Sequence, residues 1–151
     1  MVCSSSDGLR ESVLEAAGPR FRNAYDRKNA SAQELESFAL SCPNLPCKEI
    51  YFLEWTPSDH IALTEQSIKD FITDTVKYVL DKNYRSVAFP AIGCGQFGLD
   101  PDFIAQTMID HVKIEHYPLD VAFIIYPLSN NVFNAFLYAN SKNKISVIQS
   151  L

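Results

Sequence analysis

One stretch confines this chain more than any other. A short apolar run, Ser86 to Phe89, ends in Pro90; a loop with three glycines follows (Gly93, Gly95, Gly98); Asp100-Pro101 then opens a helix. Asp can cap a helix start and Pro suits the first helical position. A strand, a glycine loop and a helix N-terminus in this order are how α/β proteins build a phosphate-binding turn. Glycine lets the backbone come close to a ligand, and unpaired N–H groups with the helix dipole favour an anion. The segment therefore predicts an α/β fold and a ligand carrying phosphate.

At 151 residues the chain has the size of one domain, 1–151, large enough to bury a core. The 18 acidic residues outnumber the 13 basic ones, for a net charge of −5. That argues against strong nucleic-acid binding, which wants a basic face. It leaves room for a small anion held by backbone N–H groups. No apolar run approaches the ~20 residues that cross a bilayer, and the N-terminus lacks the basic and apolar regions of a signal peptide. Cys3, Cys42, Cys47 and Cys94 form no dense disulfide pattern. Reduced thiols in a cytoplasmic or nuclear protein are the simplest reading. Cys42 and Cys47 with His60 fit no common zinc spacing, so no metal is expected.

β and α signals alternate along the chain. Strands are expected at Met1–Ser5, Glu36–Leu40, Glu49–Trp55, Ser86–Phe89 and Asp120–Tyr126, the last a continuous apolar run buried on both faces. Helices are expected at Arg10–Ala17, stopped by Gly18-Pro19, and at Phe21–Lys28. A further helix, Thr64–Asn83, places Ile68, Phe71, Ile72, Thr75, Val76, Val79 and Leu80 on one stripe. The next runs from Pro101 to about Lys113, with Ile104, Met108 and Val112 on one face. Ser129–Asn140 is the last, capped by Ser129 or Asn130, with Phe133, Phe136 and Leu137 inward. This alternation predicts a three-layer α/β/α sandwich with a mixed central sheet. Ligands bind such sheets beyond the carboxyl ends of the strands, where Ser4–Gly8, Gly93–Gly98 and Tyr126–Ser129 stand.

Each candidate also has a plainer reading. Gly93, Gly95 and Gly98 match the dinucleotide spacing, but a Rossmann unit would carry it early and close its next strand with an acid, where this chain has Tyr126-Pro127. Cys94 stands beside a helix N-terminus, which favours a thiolate. No base or Cys-x5-Arg accompanies it, so it reads as a small residue filling a tight loop. Tyr126 can be core, although the end of a strand favours the cleft. Phe97 has little local core to join. His60 reads as a solvated loop residue, Asp7 as a helix cap, and Ser4–Ser6 may simply end a strand.

Five blocks together resemble a macro domain, the module that binds ADP-ribose. Val2 to Pro19, with Ala16-Ala17-Gly18-Pro19, is similar to the family's second strand, first ligand loop and following helix. Asn44-Leu45-Pro46-Cys47-Lys48 before Ile50-Tyr51-Phe52 resembles its N-L-P-x-K strand entry. Phe89 to Gly98 resembles its second ligand loop, Asp102–Asp110 the helix behind it, and Val121–Tyr126 the last strand, ending in an aromatic. The resemblance spans roughly residues 2 to 140 and is to the macro modules of multidomain ADP-ribosyltransferases. It implies that Gly93, Cys94, Gly95, Gln96, Phe97 and Gly98 wrap the diphosphate and distal ribose. Phe97 would lie against the ribose and Tyr126 would stack on adenine. Ser6, Gly8 and Leu9 would form the first loop, facing the diphosphate from the other side.

Three departures bear on activity. The family's opening strand, with the acid that recognises the adenine amine, has no counterpart, which should weaken binding or change its specificity. The family's V-N-A-A-N reads Val2-Cys3-Ser4-Ser5-Ser6, without the asparagine that helps hydrolytic members place the ribose and water. The usual G-G-G-V is shortened to Asp7-Gly8-Leu9. These point to a monomeric, intracellular reader of ADP-ribose or mono-ADP-ribosylated protein, with no catalytic residue, metal or cofactor. A hydrolase that releases ADP-ribose and a scaffold without ligand are the alternatives.

Overall fold

The computed structural model describes residues 2–4, 7–31, 37–141 and 145–149. The chain divides into two compact units, Met1–Trp55 and Thr56–Leu151.

The first unit carries β1 (Val2–Ser4), α1 (Asp7–Ala17), α2 (Pro19–Ser31), β2 (Phe38–Ser41) and β3 (Glu49–Leu53). Its sheet runs β1-β3-β2, with β1 parallel and β2 antiparallel to β3. The break between the helices is written in Gly18-Pro19. Gly18 takes φ +88°, where glycine avoids the Cβ penalty, and its N–H donates to the carbonyls of Leu14 and Glu15. Pro19 starts α2 at the position where a missing N–H costs nothing. Val13, Leu14, Ala17, Phe21, Tyr25, Cys42, Ile50 and Phe52 form the core. Tyr25, Phe38 and Phe52 pack as a cluster with ring centroids 4.8 to 5.6 Å apart.

The second unit carries α3 (Ile61–Asp81), β4 (Ser86–Pro90), α4 (Pro101–Glu115), β5 (Asp120–Ile125), α5 (Asn130–Ala139) and β6 (Ser146–Gln149). Its sheet is parallel throughout, in the order β4-β5-β6. Val87 lies opposite Val121 and Phe89 opposite Phe123, so their buried side chains share a face. Phe71 of α3 packs on Phe89, Phe89 on Phe123, and Phe123 on Phe136 of α5. Thr73, His111 and Tyr117 close a triangle of hydrogen bonds of 2.9 to 3.1 Å that ties α3 to the end of α4. Among the described residues no helix is long and apolar enough to cross a membrane.

Several expectations are corrected. α1 begins at Asp7, so that residue stands in its first turn rather than ahead of it, and its side chain lies outside the described residues. β2 begins at Phe38 and β3 ends at Leu53; Glu36 lies outside the described residues. β5 is not buried equally on both faces: Val121, Phe123 and Ile125 are buried, while Ala122 and Ile124 are half-buried. On α5 the buried stripe is Val132, Ala135 and Phe136; Phe133 is half-buried and Leu137 exposed. Ser129 holds the cap position with no side-chain bond. Leu80 at the end of α3 is exposed. β6 has no counterpart in the expected elements, although Ile145-Ser146-Val147 alternates as a half-buried strand does.

Candidate functional site

The parallel register places Pro90 opposite Ile124, so the chain leaves β4 and β5 at the same edge of the sheet. From β4 it enters residues 91–100, and from β5 it passes into Tyr126. The loop after β4 is two turns closed at a neck. The Cys94 N–H donates to the Ala91 carbonyl at 3.4 Å, making a first turn around Ile92 and Gly93. The Gly98 N–H donates to the Gly95 carbonyl at 3.0 Å, making a second around Gln96 and Phe97. The Leu99 N–H then donates to the Gly93 carbonyl at 3.0 Å and shuts the neck. Gly93 at φ +80° and Gly98 at φ +59° hold the left-handed conformations that this path demands. Ile92, only 1% exposed, anchors the loop in the core.

Gly95 differs from its two neighbours in holding no left-handed φ. Like Gly98 it is exposed, and a Cβ built on it would meet no atom within 4 Å. None of the described residues accepts a hydrogen bond from the N–H of Gly95 or Gln96. The tip of the loop thus leaves two backbone donors without an acceptor among the described residues, which suits them to an anion. α4 starts directly behind it. Asp100 caps that helix by accepting from the Asp102 N–H at 3.3 Å, and Pro101 fills the first turn, as the sequence predicts.

Cys94 is half-buried in this loop. Burial, and then the Asp100 carboxylate, push its thiol up from 9.0 to about 12. A helix N-terminus alone would favour the thiolate. The capping carboxylate counters the helix dipole, and the group at position 94 is a neutral thiol at physiological pH.

Phe97 is half-buried, and Gln96 and Gly98 are exposed. The Tyr126 ring is 59% exposed, so it is not a core residue. Its carbonyl accepts from the Ser129 N–H at 3.0 Å, fixing the turn after β5. Gln149 reinforces that turn: its side-chain amide donates to the Pro127 carbonyl at 2.7 Å and to Asn130 Oδ1 at 3.0 Å. Sequence reading missed Gln149 because it missed β6. The alternation around Val147 was the signal that could have found it.

The second unit therefore brings together Gly93–Gly98 and Tyr126 at one sheet edge. Gly8 and Leu9 belong to the first unit, in the first turn of α1. Gly8 is exposed and its carbonyl accepts from Ser12 Oγ at 2.9 Å. Leu9 packs against the core of that unit. Ser6 lies outside the described residues. Among the described residues no three or more His, Cys, Asp and Glu side chains come together as metal ligands.

Comparison with known proteins identifies the lineage of this loop. Residues 2–108 match the Macro domain family. The chain belongs to that family. It is 24% identical over 137 residues to protein mono-ADP-ribosyltransferase PARP9 of Mus musculus, which covers 87% of this chain. The chain spans only 15% of that relative's length. It is 28% identical over 129 residues to an O-acetyl-ADP-ribose deacetylase of Citrobacter koseri, covering 79% of this chain and 72% of that protein. The fold is that of a macrodomain from Oceanobacillus iheyensis solved with ADP. The TM-score is 0.77 at 18% identity, over 93% of this chain and 82% of the other.

Proposed function

We propose that this macro domain binds ADP-ribose, free or carried as mono-ADP-ribose on a protein, and holds it without turning it over. One observation supports the reading: at the tip of the loop after β4 the Gly95 and Gln96 N–H groups find no acceptor among the described residues, within a frame that Gly93 and Gly98 hold in shape. Backbone donors suit a diphosphate because they are directed and bring no full charge that would have to be desolvated. Phe97 flanks the ribose, and the exposed Tyr126 ring supplies a face for adenine. Ser6, Gly8 and Leu9 join the ligand set on the family resemblance. The protein acts inside the cell, in cytoplasm or nucleus, as a monomer.

Melting with and without ADP-ribose tests this. A ligand held only by the folded state raises Tm, by roughly 5–10 °C when present at about a hundred times its Kd. An unmoved Tm with ADP-ribose at millimolar concentration would defeat the proposal.

A hydrolytic reading has one observation in its favour, the likeness to a protein named as a deacetylase of O-acetyl-ADP-ribose. Two features weigh against it. Cys3 and Ser6 stand where the resemblance puts the asparagines of the family's V-N-A-A-N, and the Cys94 thiol is not a nucleophile near neutral pH. Release of labelled ADP-ribose from a modified protein, or of acetate from the small ester, would decide for the enzyme.

A further inference from the structure

The turn between β2 and β3 holds two cysteines that the proposed ligand site does not use. The antiparallel ladder pairs Ser41 with Glu49, and the Cys42 N–H extends it by donating to the Lys48 carbonyl at 3.0 Å. Within the turn the Cys47 N–H donates to the Leu45 carbonyl at 2.7 Å. Cys42 is buried in the core of the first unit, and Leu45 and Cys47 pack against that same core. Cys42 and Cys47 thus stand at the two ends of one short turn, both against the same core. Pro43 and Pro46, with φ fixed by their rings, restrict the chain that joins them.

We propose that Cys42 and Cys47 are a dithiol modification site that forms a reversible disulfide across this turn. Cys47, half-buried, is the thiol that an outside reagent reaches, and Cys42 is the resolving partner. The oxidant is a low-molecular-weight disulfide such as oxidised glutathione. The Cys47 thiolate attacks one sulfur of the reagent, forms a mixed disulfide and expels a glutathione thiolate, which takes up the released proton. The Cys42 thiolate then attacks the Cys47 sulfur and expels the second glutathione. The protein loses two thiol hydrogens and two electrons, and one glutathione disulfide becomes two thiols.

Burial raises the Cys47 thiol above its ordinary range. The pair is therefore a slow reactant, closed by proximity more than by thiolate character. Oxidation also has a structural address. The Asn44 side-chain amide, inside the cross-linked segment, donates to the Ala17 carbonyl at 3.0 Å. Closing the ring stiffens the turn on which the end of α1 rests.

Peptide mapping reads the outcome without ambiguity, because cleavage after Lys28 and Lys48 leaves both cysteines on one tryptic peptide, with Cys3 and Cys94 on others. The folded chain is equilibrated in glutathione buffers of rising oxidation, quenched in acid, unfolded, alkylated and digested. The expected result is a 29–48 peptide lighter by two hydrogens and carrying no alkyl group, while the Cys3 and Cys94 peptides still alkylate. Cys47→Ser should keep Cys42 alkylatable throughout. Phenylarsine oxide, which bridges neighbouring thiols, should add once to the parent chain at the 29–48 peptide and not to Cys47→Ser. If that variant fails to fold, Cys47→Ala replaces it, and the parent peptide map decides by itself. A doubly alkylated 29–48 peptide at every ratio, glutathione retained on Cys47, or a bond from either cysteine to Cys3 or Cys94 would overturn the proposal.

Discussion

The chain turns from strand to helix after β4 and after β1, and it builds the two turns differently. After β4 it spends residues 91–100 on a loop of two turns, with left-handed glycines at positions 93 and 98 and a hydrogen bond across the neck. After β1 it enters α1 almost at once, and Gly8 is already a helical residue. A glycine in the first setting holds a left-handed turn beside N–H groups that find no acceptor among the described residues. In the second it adds chain entropy to the unfolded state and weakens a helix. The lesson is that glycine content does not mark a phosphate site. Its backbone conformation and the destination of the neighbouring N–H groups do.

Substitutions can break this comparison, and the largest effect is expected at Gly95. Gly95→Glu puts a carboxylate where a diphosphate would sit. Its backbone needs no left-handed φ and has room for a side chain, so the fold should survive. Calorimetry should show no binding of ADP-ribose at an unchanged Tm; parental affinity would remove the loop from the ligand site. Tyr126→Ala should weaken binding by about 1–2 kcal/mol through loss of an aromatic face. The ring is exposed at 59%, so stability should barely move. Equal affinity in the variant would place adenine elsewhere.

Gly98→Ala and Gly8→Ala should then differ in sign. At φ +59° alanine costs ~1 kcal/mol of stability. At Gly8, with nothing within 4 Å of the new Cβ, alanine should add about 0.5 kcal/mol. Denaturant midpoints of the two variants decide whether the contrast between the turns is real. If Gly8→Ala also reduces ADP-ribose affinity, the first turn of α1 approaches the ligand closely. The smallest expected effect is chemical. Iodoacetamide should modify Cys94 slowly at both pH 7 and pH 9, with a rate still rising about tenfold per pH unit at pH 9, because its thiol titrates at about 12. A rate that levels off towards pH 9, as an ordinary cysteine's does, would mean that Asp100 and burial do not hold it protonated.

Signals confined to neighbouring residues were legible in the sequence. The stripe from Ile68 to Val79, the Asp100-Pro101 helix start and the Gly18-Pro19 break each follow from local periodicity or capping, and each stands in the structure. What depends on distant partners was harder. The inward face of α5 is set by Phe123 beneath Phe136, which turns Leu137 out. β6 is a short strand whose pairing with β5 is visible only once the sheet is assembled. How firmly the Cys94 thiol is held protonated was not legible, because a helix N-terminus alone suggests a thiolate, while burial and then the capping carboxylate act the other way. Cys42 and Cys47 come to the two ends of one turn through the β2–β3 ladder; their spacing carried no such message. The glycine loop was legible in kind, whereas the ordinary φ of Gly95 between two left-handed glycines is seen only in the structure.

The bond from the Leu99 N–H to the Gly93 carbonyl has a kinetic consequence. It closes the loop with the chain's own backbone. On the proposed function, a nucleotide would meet donors that the fold already holds and would not have to organise the segment. Capture should then be governed by diffusion and collision geometry, with differences in affinity among variants expressed as how long the complex lasts.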